Sequence, residues 1–234
     1  MNLESLTIFF PFYNDEGTVG RQIRLAFEVG KKFTNDLEVI AIHGGNSADQ
    51  TFQRIKEIKK EFPKLVIIDK TKNTEGYAVI KYGLKKASKE WVFYTDGDAQ
   101  YHLEEDLEQL IKKQLKTKAD IVNGYKKSRE DGFIRTVLGG CYKIFSKKLF
   151  NLPIRDVDCD FRLIRKSFLD KFELESTDST ILPELIKKLE LSKAKFSEVA
   201  VSHYRRAYGK SSYMALDLFK EKLIGDIRLY LKMR

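Results

Sequence analysis

The chain has 234 residues, 42% of them hydrophobic, which suits one full α/β core. Its two cysteines, Cys141 and Cys159, lack a C-x-x-C spacing, which excludes a disulfide framework and argues against zinc or redox chemistry. The 43 Lys and Arg against 34 Asp and Glu leave a net +9, which favours a phosphorylated substrate or an anionic membrane surface; with no recognition motif in the chain, no nucleic-acid partner is expected.

Apolar runs alternate with amphipathic stretches: Leu6–Phe10 then Val19–Phe33, Val39–Ile42 then Thr51–Phe62, Leu65–Ile68 then Tyr77–Ala87, Trp91–Tyr94 then Leu103–Leu115. Four βα units with continuous apolar strands predict an α/β fold, a doubly wound, mostly parallel sheet flanked by helices. A fifth strand, Ala119–Asn123, follows. Beyond Gly124 the pattern predicts a long helix at about Gly132–Phe150, an irregular acidic stretch Asp156–Asp160, and one or two more helices. A strand Phe196–Val201, expected to pair antiparallel in the same sheet, and a final helix complete the chain. No linker, repeat or low-complexity segment divides it, so residues 1–234 are expected to form one domain with halves of about 1–124 and 125–234. In such sheets ligands lie beyond the carboxyl ends of the strands, which singles out the loops after Phe10, Ile42, Ile68 and Tyr94.

No apolar run approaches the ~18 residues needed to cross a bilayer, and the opening residues do not form a signal peptide. The expectation is a cytoplasmic protein, either free or peripheral on the cytoplasmic face of a membrane. The last helix carries Leu216, Phe219, Leu223, Ile227 and Tyr230 at helical spacing, with Lys220, Lys222, Arg228, Lys232 and Arg234 around them. Such a helix either packs on the core or lies on anionic lipid.

The sharpest chemical feature is Thr95-Asp96-Gly97-Asp98-Ala99-Gln100, directly after an apolar strand. In extended chain, alternate residues point the same way, so Asp96, Asp98 and Gln100 would present oxygens to a hard cation, Mg²⁺ or Mn²⁺, that completes its shell with substrate phosphates and water. The alternative is a turn that uses Asp and Gly only for its conformation. A second cluster, Lys126, Lys127, Arg129 and Arg135, surrounds the start of the long helix; arginines and a helix start suit phosphate.

Five segments in order resemble the family 2 glycosyltransferases of GT-A fold, and among them the polyprenyl-phosphate sugar transferases of dolichol-phosphate mannosyltransferase type. Phe10-Pro11-Phe12-Tyr13-Asn14-Asp15-Glu16 is similar to the opening Pro-x-Tyr-Asn-Glu-Glu loop. Asn73, Gly76 and Gly83 resemble an Asn-x-Gly…Gly helix, and Asp96–Gln100 resembles the Asp-x-Asp segment. Asp156…Cys159-Asp160-Phe161-Arg162 resembles Asp…Cys-Gly-Phe-Arg, and His203-Tyr204-Arg205-Arg206-Ala207-Tyr208-Gly209-Lys210-Ser211 resembles a late His…Arg…Gly-x-Ser loop.

The resemblance implies a metal-dependent, inverting hexosyltransferase with a nucleotide-sugar donor and a lipid-phosphate acceptor. It makes the first half the nucleotide-sugar half and the second half the acceptor half. Asp96, Asp98 and Gln100 become metal ligands, and Pro11, Tyr13, Asn14, Glu16, Asn46, Gly76, Asp96, Arg205, Arg206 and Ser211 become substrate contacts. Arg129 and Arg135 would grip the acceptor phosphate, and residues 203–211 would form a mobile cover over the leaving diphosphate. For Asp156 two roles stand: placing or deprotonating the acceptor, or capping nearby backbone. The chain departs from the family at His43-Gly44, where Asp-Asp is usual, and at Asp160, where glycine is usual. His43 itself reads as a structural histidine. Two alternatives stand beside this reading: transfer to a saccharide or protein hydroxyl, with Asp156 as base, and a non-catalytic nucleotide- or anion-binding relative that has lost the acids at 43 and 44.

Overall fold

A computed structural model describes residues 2–45, 47–70, 77–127, 133–206, 208 and 215–233, the side chains of 133–135 and 215 excepted. The elements are β1 (Leu6–Phe12), α1 (Val19–Gly30), β2 (Leu37–Gly44), α2 (Thr51–Glu61), β3 (Val66–Lys70), α3 (Ala78–Lys86), β4 (Trp91–Thr95) and α4 (Leu103–Thr117). There follow β5 (Ile121–Lys126), α5 (Phe133–Phe150), β6 (Phe161–Arg165), α6 (Lys166–Leu169), α7 (Ile181–Leu191), β7 (Phe196–Val201) and α8 (Ala215–Lys232).

The seven strands form one sheet in the order β3-β2-β1-β4-β6-β5-β7. Its side chains alternate between two apolar layers. Leu6, Ile8, Phe10 and Phe12 of β1 pack with Val19, Ile23, Leu103 and Leu107 on one face, while Phe9 joins Tyr94, Val79, Ile80 and Leu185 on the other. Burying one such side chain contributes roughly 1.5–3 kcal/mol. Close packing also explains Gly83 of α3: a Cβ there would sit 2.4 Å from the Phe9 ring.

Strands β1 to β4 are parallel, as their apolar runs predict. The second half differs from expectation. Strand β7 pairs parallel with β5, not antiparallel. The antiparallel strand is β6, between β4 and β5, in a stretch that the sequence pattern leaves to helix. Arg162 interrupts its apolar run, and it is satisfied partly by neighbours distant in sequence, Tyr94 and Asn123.

The strand directions decide where the loops go. Because β2 and β4 flank β1, the order reverses there, and the crevice opens past Phe12 and Thr95. Phe161 pairs with Thr95, so antiparallel β6 starts at that same edge and brings the acidic stretch 156–160 with it. Parallel β7 ends beside Lys126 and delivers residues 202–206 to the edge as well.

Candidate active site

The loop after β4 is sewn to the end of β1. Gly97 N donates to Pro11 O at 3.2 Å, and Thr18 Oγ1 donates to Gly97 O at 2.8 Å. A Cβ on Gly97 would lie 2.2 Å from Phe12 Cδ1 and 2.8 Å from Pro11 O, so only glycine fits. The segment is a turn and not extended chain: residues 97–98 turn, Ala99 has φ 61°, and Gln100 N donates back to Asp98 Oδ1 at 3.1 Å. The simple alternation expected of Asp96, Asp98 and Gln100 therefore does not hold. Asp98 and Gln100 turn instead toward the loop after β7. Asp98 Oδ2 accepts from Arg206 Nη2 at 2.7 Å, Gln100 Nε2 donates to Tyr204 O at 2.8 Å, and Tyr204 N donates to Gln100 O at 2.9 Å. The rings of His102 and Tyr204 stack 4.0 Å apart.

Negative charge accumulates at this point. Burial first, then Asp160, Asp98 and Asp15, push the Asp96 carboxyl well above the usual carboxylate range, with Lys126 opposing. Asp15 is pushed up to about 7, mainly by burial and partly by Asp98 and Asp49; the Tyr13 backbone N–H and Arg206 oppose the shift. Its Oδ2 accepts from Tyr13 N at 2.9 Å. Sequence reasoning missed Asp15 as a site residue, because its interactions with Asp98 and Arg206 span most of the chain.

Among the described residues no three His, Cys, Asp or Glu side chains are grouped as a metal site. The chemistry of the cluster nevertheless fits a hard cation. Mutually repelling carboxylates are driven toward protonation, and one guanidinium, Arg206, supplies the positive charge on Asp98. A divalent ion bringing phosphate oxygens with it would relieve that repulsion, held by Asp96, Asp98 and Gln100.

The other predicted donor-side residues tie loops together. Asn14, at φ 56°, accepts from Ala48 N at 2.7 Å through Oδ1 and donates its N–H to Ser47 Oγ at 3.2 Å. Glu16 accepts from Gln50 N at 2.7 Å and from the Tyr208 hydroxyl at 2.6 Å, which together hold its carboxyl below the usual range. The Tyr208 ring lies against Gly17, where a Cβ would come within 2.5 Å. Nothing in the sequence signals that contact across 191 residues of chain. Tyr13 and Arg205 are exposed. His43 is buried, stacks 4.8 Å from Phe52, and meets Ser47 Oγ at 3.1 Å and Asp69 Oδ1 at 3.3 Å; it is a structural histidine joining the ends of β2 and β3. Asn46, Asn73, Gly76, Arg129, Gly209, Lys210, Ser211 and the Arg135 side chain lie outside the described residues.

On the other side of the crevice each acid has a cation. Asp156, 1% exposed, accepts from Lys143 Nζ at 2.5 Å and from Lys126 N at 3.3 Å, so it does cap backbone. Its Oδ1 has no hydrogen-bond partner among the described residues. Asp158 pairs with Lys222 at 2.8 Å. Asp160 lies 3.7 Å from the Arg162 guanidinium and 3.4 Å from the Tyr94 hydroxyl. Arg162 is wholly buried: it donates to Asn123 Oδ1 at 2.6 Å, to the Tyr94 hydroxyl at 2.5 Å and to Val157 O. Tyr94, Arg162 and Asn123 stand in register on β4, β6 and β5, so three strands jointly place the acidic loop.

With this geometry in view, the likenesses to known proteins are specific. Residues 7–172 match the family described as glycosyl transferase family 2. A dodecaprenyl-phosphate galacturonate synthase of Rhizobium johnstonii is 22% identical over 89% of this chain and 61% of its own length. An undecaprenyl-phosphate 4-deoxy-4-formamido-L-arabinose transferase of Aeromonas hydrophila is 23% identical over 93% of this chain and 65% of its own length. The chain thus spans under two thirds of these relatives. Among solved structures, the glucosyl-3-phosphoglycerate synthase of Mycobacterium tuberculosis, in complex with Mn²⁺, UDP and glucosyl-3-phosphoglycerate, superposes with TM-score 0.70 over 97% of this chain and 80% of its own, at 13% identity. That likeness concerns the fold, a mostly parallel seven-stranded sheet of GT-A type. A match over residues 7–172, covering the sheet from β1 to β6 together with both acidic loops, makes this chain a member of glycosyl transferase family 2.

Proposed function

We propose that the chain transfers a sugar from a nucleotide-sugar to a polyprenyl phosphate, with inversion at the anomeric carbon and with Mg²⁺ or Mn²⁺ on the donor diphosphate. The observation that carries this reading is the cluster of carboxylates at the switch point of the sheet, where Asp15, Asp96 and Asp98 crowd together with Arg206 beside Asp98 and Asp15 and Lys126 near Asp96. The names of the relatives support the acceptor class.

Asp96, Asp98 and Gln100 hold the cation, which when bound offsets the charge of the leaving diphosphate. Pro11, Tyr13, Asn14, Glu16, Asn46 and Gly76 border the nucleotide. Arg206, now on Asp98, turns to the diphosphate with Arg205, and Ser211 belongs to the same cover, limiting donor hydrolysis. An acceptor phosphate oxygen attacks the anomeric carbon in line as the bond to the diphosphate breaks, and the electron pair departs with the nucleoside diphosphate. That oxygen is already ionised, so the protein's work is to orient two anions, with Arg129 and Arg135 on the acceptor phosphate and Asp156 positioning it.

No helix among the described residues is long and apolar enough to cross a membrane. The outer side of α8 exposes Leu216, Ile224, Ile227 and Leu231 beside exposed Lys220, Arg228 and Lys232, a face suited to an anionic cytoplasmic membrane surface where a lipid acceptor resides. Sedimentation with phosphatidylglycerol vesicles, lost in Ile224→Glu/Leu231→Glu, tests that placement.

The enzymatic test is transfer of radiolabelled sugar from UDP- and GDP-sugars to a polyprenyl phosphate with Mn²⁺. Label in the lipid fraction, abolished by EDTA, is expected; label appearing only in a saccharide product contradicts the acceptor. Asp156 Oδ1, which has no hydrogen-bond partner among the described residues, favours one second reading, base catalysis on a hydroxyl acceptor. Asp156→Asn then abolishes turnover, whereas transfer to a phosphate persists at reduced rate.

A further inference from the structure

Lys222 stands among the cations of the last helix, yet it is 8% exposed and points inward. Its ammonium lies 2.8 Å from Asp158 Oδ1 and 4.7 Å from the centre of the Tyr142 ring on α5. Burying a lysine is costly unless a specific partner meets it, and the partner here sits in the middle of the acidic loop. Among the described residues the loop is also tethered by Lys143 of α5 on Asp156, by Asn123 and Lys126 of β5 on Asp156 and on Asp158 O, by Arg162 of β6 on Val157 O and Asp160, and by Tyr94 of β4 on Asp160. These come from elements that adjoin the loop in the sheet or precede it in the chain. Lys222, among these tethers, comes from α8, 64 residues away, a helix that packs on α5 through Tyr230 against Phe150 and on Thr180 at the start of α7 through Gly225.

We propose that α8 is a clasp on the acceptor loop: the Lys222–Asp158 pair holds residues 156–160 where Asp156 meets the acceptor, so that the seating of α8 sets acceptor affinity. Lys222 is a positioning residue, acting through Asp158 on Asp156 and touching no substrate. The proposal rests on the acceptor reading given above for Asp156. It makes the last helix part of the acceptor site and not merely a surface element, and it gives any event that lifts or seats α8 a route to that site.

The test compares the whole chain with Lys222→Met, Lys222→Arg and Asp158→Asn by two readouts. The first is amide hydrogen exchange across residues 156–160, which needs no activity. The clasp predicts faster exchange there in Lys222→Met and Asp158→Asn, unchanged exchange in β1 to β4, and recovery in Lys222→Arg. The second is the transfer reaction, with an acceptor KM raised roughly tenfold, kcat and donor KM near wild type, and again recovery in Lys222→Arg. Unchanged exchange at 156–160 in both disrupted variants overturns the clasp, as does a uniform rise in exchange through the sheet, which marks a merely structural pair. If wild type transfers nothing to polyprenyl phosphate, the acceptor reading fails by itself, and the exchange result still decides whether α8 holds the loop.

Discussion

The two walls of the crevice treat negative charge in opposite ways. On the side built by β1 and β4, Arg206 faces Asp98 and Asp15 while Lys126 is the cation near Asp96, and burial with mutual repulsion drives Asp96 and Asp15 toward protonation. On the side built by β6 and the α5–α8 pair, Asp156, Asp158 and Asp160 each have a cation, Lys143, Lys222 and Arg162. The first arrangement stores a deficit of positive charge that a ligand can meet; the second spends its cations internally to fix a loop. Similar residue types thus stand crowded in one place and individually paired in the other, and the difference lies in how the protein distributes its cations.

The sharpest way to break this contrast is to remove the scaffold's central cation. Arg162→Met leaves Asp160 and Tyr94 buried without their partner and abandons Asn123 Oδ1 and Val157 O, so denaturant unfolding should show a loss of about 3–5 kcal/mol. Next in size, Gly97→Ala drives a methyl into Phe12 and Pro11 O. It should cost about 1–3 kcal/mol by the same measurement and displace Asp98 from Arg206, so donor affinity falls as well.

A smaller effect concerns Asp226 of α8, wholly buried between the helices. Burial and Asp158 push its carboxyl up to about 7, while Ser146, Tyr142 and Lys222 favour the ionised form. A carboxyl raised in the folded state binds more protons there than in the unfolded chain. Its contribution is therefore most favourable below 3.8 and is lost as pH rises through about 7. Asp226→Asn should flatten that dependence, removing a slope of at most ~1.4 kcal/mol per pH unit, and should gain on wild type at pH 8 relative to pH 5 in paired urea titrations. An unchanged difference between the two pH values would show that Asp226 is ionised in place.

The parallel half of the fold was legible because its strands are unbroken apolar runs, and Asp96-Gly97-Asp98 stood out by following one of them. Strand β6 was not, since a buried arginine reads as a surface residue until Tyr94 and Asn123 are seen beside it. For the same reason the sequence does not single out Lys222 among the cations of the last helix: its partner is 64 residues away. The extended geometry expected at 96–100 failed on Ala99, a non-glycine residue in the left-handed region that composition does not announce. His43, by contrast, is buried and meets Ser47 and Asp69, which ties the end of β2 to β3 and to the loop that follows β2.

The claim on which the rest depends is that the crowded wall receives a cation and a nucleotide-sugar together. A thermal-shift screen of UDP- and GDP-sugars with and without Mn²⁺, on wild type and Asp98→Ala, tests it most directly. The account predicts stabilisation by one nucleotide class only when Mn²⁺ is present, and at least a 100-fold weaker apparent affinity in Asp98→Ala. Stabilisation that ignores Mn²⁺, or that survives Asp98→Ala unchanged, would contradict it.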